Sequence, residues 1–257
     1  MCKLIQFFWL AGFLLLQSCQ QNTALKSSQS RKDKQQEAAT YNVQLGMAYL
    51  QQEDRKRAKR KLLTALEQAP DSPDTHAAMA YYLEKTGDLK QARSYYKKAL
   101  LFAPNSGSQL NNYGTFLCRI GNNKEAEGYF LKAVQDMHYI NSAAAYENAG
   151  LCAAAVPEYE KAKVYFTKAL KQDPQRVQSL YQLVLIELKQ NNPAEALSDL
   201  QKYPHTVYHE ARLLAVGIKA AHQKGDTRLE ASYRLGLTKL NKPRNTGVKN
   251  EYNNNSE

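Results

Sequence analysis

Glycine and proline are scarce, at 12 and 8 in 257 residues, and tryptophan occurs once. So little turn-forming material excludes a collagen-like chain and argues against the turn-rich β architectures. Cysteine is rare as well, with four residues, and a chain of this length buries a core without disulfide staples. No apolar run reaches the roughly 20 residues that a helix needs to cross a bilayer. Acidic residues are the minority, 24 against 35 basic ones, for a net charge of +11. Such a balance permits nucleic acid, an anionic membrane surface or an acidic protein as a partner, and speaks of solubility and steering rather than fold. What is plentiful is Ala and Leu, within a composition that is 43% hydrophobic and 23% charged. That mixture leans towards helices.

The N-terminus reads as an address. Lys3 precedes an apolar stretch from Leu4 to Leu16, a positive segment and a short hydrophobic one, as in a secretory signal peptide. Leu16-Gln17-Ser18-Cys19 resembles the lipobox of bacterial lipoproteins, with Leu three residues before a Cys and a small residue just before it. The resemblance implies a signal peptide over residues 1–18, cleavage ahead of Cys19 and acylation there, the lipid (palmitate among its acyl chains) being the only non-protein group expected and no cofactor with it. Gln20 is not Asp, which in lipoproteins of diderm bacteria implies the periplasmic face of the outer membrane. An ordinary signal peptide with a chance Cys is the alternative. Residues 19–38 are polar and without hydrophobic period, so they are expected to be a flexible tether, and residues 242–257 a disordered tail.

Between them the chain repeats. Starts at Ala39, Pro73, Gly107, Ala143, Val177 and Ala211 are spaced by 34 residues with a single two-residue insertion. Position 20 is Ala58, Ala92, Ala126, Ala162 and Ala196; position 27 is Ala65, Ala99, Ala133 and Ala169; position 24 is Leu62, Tyr96, Phe130, Phe166 and Leu200. Pro70, Pro104 and Pro174 recur near the end of the unit. Small residues let antiparallel helices approach, large ones fill the space between them, and proline ends the second helix. This resembles the tetratricopeptide repeat, and implies an all-α, right-handed superhelical solenoid of about six helix pairs over residues 39–241. Gly87, Gly121 and Gly225 are expected to stop the first helix of a pair, and Asn192-Pro193 to do the same by capping. Tyr203-Pro204 should stop a helix early, Glu230 stands where Ala is expected with Ala231 beside it, and Asp136–Ser142 should form a longer loop.

Chemistry-bearing patterns are sparse. The five histidines show no metal-ligand grouping, and His205 and His209 lack the three or four ligands a zinc site needs. There is no phosphate-binding glycine loop, nucleophile elbow or paired CxxC. The expectation is a non-enzymatic protein with no metal, no small-molecule substrate and no nucleic-acid partner. The basic cluster from Arg55 to Lys61 reads as a solvated helix face. Cys118 and Cys152 fall on neighbouring first helices, where they either form a disulfide in an oxidising periplasm or stay as two buried thiols; the even count favours the bond. First helices line the concave side of such repeats. The groove facing residues are expected to be Val43, Met47, Leu50, Tyr81, Asn111, Thr115, Glu147, Leu151, Tyr181 and Leu185, with Leu188 beside them, suited to an extended or helical peptide.

The segments Asn111-Asn112-Tyr113-Gly114, Phe116-Leu117-Cys118 and Tyr146-Glu147-Asn148-Ala149-Gly150-Leu151-Cys152, joined to lipobox, repeats and size, resemble the type IV pilus biogenesis and stability lipoproteins, the pilotins. The resemblance implies an outer-membrane lipoprotein that binds the secretin of the pilus machine and promotes its localisation and multimer assembly. The alternative is a repeat lipoprotein scaffold for outer-membrane barrel assembly or peptidoglycan enzymes.

Overall fold

The computed structural model describes residues 30–242. Expectations about the signal peptide, Cys19, the first part of the tether and the tail beyond 242 lie outside the described residues. The described residues form thirteen helices. They are α1 over 30–51, α2 Arg55–Gln68, α3 Pro73–Lys85, α4 Leu89–Phe102, α5 Gly107–Arg119, α6 Asn123–Ala133, α7 Ser142–Ala155, α8 Tyr159–Gln172, α9 Val177–Lys189, α10 Pro193–Lys202, α11 Pro204–Tyr208, α12 Ala211–Lys224 and α13 Thr227–Asn241. They pair as α1/α2, α3/α4, α5/α6, α7/α8, α9/α10 and α12/α13, with α11 inserted before the last pair. The chain divides at Ile140 into two units, α1–α6 and α7–α13, each described by itself.

Within a pair, one contact recurs. A Cβ placed on Gly46 would meet the Leu62 side chain at 2.7 Å, one on Gly114 the Phe130 ring at 2.9 Å, one on Gly150 the Phe166 ring at 2.6 Å and one on Gly217 the Tyr233 ring at 2.9 Å. Each glycine lies sixteen residues before its partner, so a hole in the first helix receives a knob from the second. In the fifth pair Val184 and Leu200 hold these places and are both buried; a larger hole residue is matched by a smaller knob. The position-20 alanines Ala58, Ala92, Ala126, Ala162 and Ala196 are fully inaccessible. In the second unit this packing merges into one cluster that includes Phe166, Leu180, Val184, Leu200, Leu213 and Tyr233.

The turn between paired helices needs a residue with positive φ, since the chain must reverse within two residues. Gly87, Gly121 and Gly225 take φ of 92°, 83° and 78°, while Glu53 and Asn191 take 61° and 60°. An acid then caps the second helix: Asp54 accepts from the Arg57 N–H at 2.9 Å, Asp88 from Gln91 at 3.0 Å and Asp226 from Leu229 at 2.9 Å. Asn192 stands at the corresponding place without a side-chain cap, so the turn there is made by Asn191, one residue earlier than expected.

Two further expectations are corrected. Helix is present from residue 30, where tether was expected up to 38. Lys, Arg, Gln and Glu dominate residues 31–37 and favour helix even when exposed on all sides, and Gln36 donates to the Ser72 hydroxyl at 3.3 Å. Lack of apolar period there marks lack of a packing partner, not lack of helix. In the last pair the register slips by one residue, because Gly217 rather than Ile218 receives Tyr233. Leu229 therefore takes the place assigned to Glu230, and Ala231 faces solvent. Tyr203-Pro204 does end α10, and Pro204 starts the five-residue α11, whose Thr206 hydroxyl donates to the Pro174 carbonyl at 2.9 Å.

Candidate protein-binding face

The expected groove residues lie on first helices and are half-buried. In the first unit Val43, Met47 and Leu50 of α1 come together, packed against the cluster of Ala58, Leu62, Met79 and Tyr82. Their inner edges belong to the core and only their outer edges can meet a partner. Tyr81 of α3 has Lys85 Nζ 5.3 Å and the Arg119 guanidinium 5.9 Å from its ring centre, two cation–π contacts on one ring. Arg119 is fixed in turn by a charged pair with Glu84, and Glu84 also accepts from the Tyr96 hydroxyl at 3.1 Å. Burial, with the Glu84 charge next, pushes the Tyr96 phenol far above its ordinary range, so it acts as a donor at every physiological pH. Thr115 donates to the Asn111 carbonyl at 2.7 Å, a bond within one turn of α5.

In the second unit Leu151 of α7 and Tyr181 and Leu185 of α9 pack against the same core cluster, and Leu188 is 8% exposed, a core residue. The Arg212 guanidinium sits 5.3 Å from the Tyr181 ring centre. Glu147 accepts from Arg176 Nη1 at 3.0 Å and from the Ser179 hydroxyl at 2.7 Å. It braces α7 against the start of α9, and a partner would have to compete with both bonds. Cys118 lies one residue from the end of α5 and Cys152, 2% exposed, lies in α7; each is in the disulfide-bonded state.

Sequence reasoning missed the cations over tyrosine faces, which include Arg57 over Tyr49 at 4.6 Å and Lys189 over Tyr159 at 4.8 Å. The tyrosines were visible, but which cation reaches each ring depends on how adjoining helices stack. The connection between α6 and α7 carries Met137 and Ile140 at 95% and 93% exposure. Asp136 anchors it by accepting from the backbone N–H of Gly107 at 2.7 Å and of His138 at 2.9 Å; these bonds hold its carboxyl below the usual carboxylate range. A depression beside it is lined by Leu110, Tyr129, Lys132 and His138 among others. Among the described residues there is no group of three or more His, Cys, Asp or Glu arranged for a metal, and no helix is long and apolar enough to cross a membrane.

Comparison with known proteins places these features in a family. A tetratricopeptide-repeat model matches residues 43–108, and the model of the middle TPR-like domain of cilia and flagella-associated protein 70 matches residues 76–212. The type IV pilus assembly protein PilF of Pseudomonas aeruginosa is 32% identical over 204 residues, covering 79% of this chain and 81% of that protein. The solved structure of P. aeruginosa PilF superposes with a TM-score of 0.65, over 81% of this chain and 94% of that one. PilW, described as a widely conserved type IV pilus biogenesis factor, superposes with a TM-score of 0.62 at 26% identity, over 78% of this chain and 92% of that one.

Proposed function

Because this chain belongs to the family of tetratricopeptide-repeat type IV pilus assembly proteins represented by PilF, we propose that it is a pilotin: a lipoprotein, acylated at Cys19 and held on the periplasmic face of the outer membrane, that binds the pilus secretin and promotes its localisation and multimer assembly. The observation that carries this reading is the 32% identity to PilF over most of both chains. The lipobox at Leu16–Cys19 supplies the address, and the first-helix faces supply the grip. The work is binding and no bond is made or broken in it. In a peptide groove a few apolar or aromatic anchors carry most of the energy, about 2 kcal/mol or more each on truncation. Met47 and Tyr81 are the anchors in the first unit, one apolar and seated on the core, the other in cation–π contact with Lys85 and Arg119.

The test is secretin pull-down by Met47→Ala with Tyr81→Ala, with helical melting measured alongside because Met47 also packs on the core. A folded double variant is expected to lose at least thirtyfold in affinity. Binding equal to the parent would remove the assignment from this face and move it to the Asp136–Ser142 connection.

A further inference from the structure

The basic residues are not spread evenly. Helix α2 carries Arg55, Lys56, Arg57, Lys59, Arg60 and Lys61 against Glu67 alone, and α4 carries Lys90, Arg93, Lys97 and Lys98 with no acid. Six from α2 and four from α4 make ten basic residues against one acidic, in a chain whose whole net charge is +11. The next second helix, α6, balances Lys124 and Lys132 with Glu125 and Glu127. Repetition of the fold therefore does not account for the excess.

The two helices present this charge outward. Ala58, Leu62 and Ala65 of α2 and Ala92, Tyr96 and Ala99 of α4 are buried; Lys56, Lys59, Arg60, Lys90 and Lys97 are exposed. Arg57 is engaged by Asp54, and Arg93 lies 3.9 Å from Glu125. Among the described residues, none of the five exposed cations just named has an acidic group within 4 Å. Apolar side chains stand among them: Leu63 at 42%, Leu101 at 76% and Phe102 at 41% exposure. In α2 the residues Arg55, Lys56, Lys59, Arg60 and Leu63, with Thr64 and Glu67, line a shallow depression that Tyr82 of α3 completes.

We propose that this face of α2 and α4 docks on a bilayer surface bearing anionic phospholipid. Crowded like charges repel one another in the free protein and are relieved over a negative surface. Lys and Arg interleaved with Leu and Phe on one helical face is the arrangement that lies at a headgroup boundary, the cations meeting phosphates and the apolar tips entering the acyl edge. The proposal deepens the anchored reading above: with Cys19 acylated, ten residues separate the anchor from the helix at residue 30. They span at most about 40 Å when fully extended, which keeps the repeats near the membrane. Lying on it, the second helices leave the first-helix faces open to a partner.

The experiment uses the mature chain from residue 19 with Cys19→Ser, so that no acyl chain contributes and failure of acylation is read separately from failure of this face. It is floated with vesicles of phosphatidylcholine alone and of phosphatidylcholine with one-third phosphatidylglycerol, at low and high salt. Binding is expected to the phosphatidylglycerol vesicles only, and to weaken with salt. Lys56→Gln, Lys59→Gln, Arg60→Gln and Lys97→Gln together are expected to cut the partition at least tenfold, on the basis of about fivefold for each contacting charge. The same neutralisation at the exposed Lys171, Lys219, Lys224 and Lys239 is expected to leave it within twofold. No preference for phosphatidylglycerol, or equal loss in the two quadruple variants, overturns the proposal. So does capture of the parent by polyglutamate with no binding to vesicles, which would assign the face to an acidic protein.

Discussion

Gly150 and Gly128 are both helical, and the structure gives them opposite requirements. Alanine favours a helix over glycine by about 1 kcal/mol. At Gly128 nothing lies within 4 Å of an added Cβ, so Gly128→Ala is expected to raise stability by up to about 1 kcal/mol. At Gly150 the added atom would meet three atoms of the Phe166 ring at 2.6 to 3.0 Å, and overpacking of that kind costs roughly 1–3 kcal/mol. Gly150→Ala is therefore expected to lower the melting temperature despite its better propensity. Thermal melts of the two variants check the pair of signs. Glu187 makes a second case. It is 1% exposed, and burial, then hydrogen bonding to Asp199, then the Asp199 and Glu195 charges push its carboxyl from 4.5 up to about 8, with Lys163 opposing. The folded state thus holds a proton that the unfolded state releases above about pH 4.5, so the contribution to stability falls as pH rises towards 8. Glu187→Gln keeps the protonated shape and removes the titration. It is expected to stabilise at pH 8 by about 2 kcal/mol, or about 5 °C, with little gain at pH 5. Equal effects at the two pH values would show that the carboxyl is not held neutral.

At the scale of elements, the sequence told most where one residue type had one physical reason. Ala at position 20 and a large residue four positions later define which faces meet, and Pro73, Gly107, Val177 and Ala211 are the first residues of their helices. Glycine before Asp at 87 and 225 reads directly as a left-handed stop followed by a cap. Glu53, which takes the same conformation, was not legible as a turn residue, because nothing in a Glu side chain asks for positive φ. The last pair was misread by one residue because the α11 insertion hides where the period resumes. Among groove residues, helical spacing gave the face but not the partner: Glu147 shares that face with Leu151, yet Arg176 and Ser179 reach it across α7 and α9. Cys118 and Cys152 stand on the first helices of consecutive pairs, and pairing them with each other would close a loop of about 35 residues, worth roughly 3–4 kcal/mol on the chain-entropy model. Alkylation of the unfolded, unreduced protein is expected to leave both thiols unmodified, and reduction to lower the melting temperature. Two alkylated cysteines without reductant would dismiss the bond.

For the whole molecule, composition excluded more than it identified, and the period identified the fold. The functional reading needed the relatives, because repeat spacing identifies a fold and names no partner. In the proposed reading, the address, the basic face of α2 and α4 and the half-buried first-helix faces divide the labour of staying at a membrane and holding another protein. The most direct measurement of the central claim is the amount of heat-resistant secretin multimer in outer membranes of cells with the gene intact, deleted, and restored with either the parent or Cys19→Ser. Multimers are expected to be lost on deletion, restored by the parent, and lost or misplaced with Cys19→Ser. Full secretin multimers in the outer membrane of the deletion strain would contradict the account.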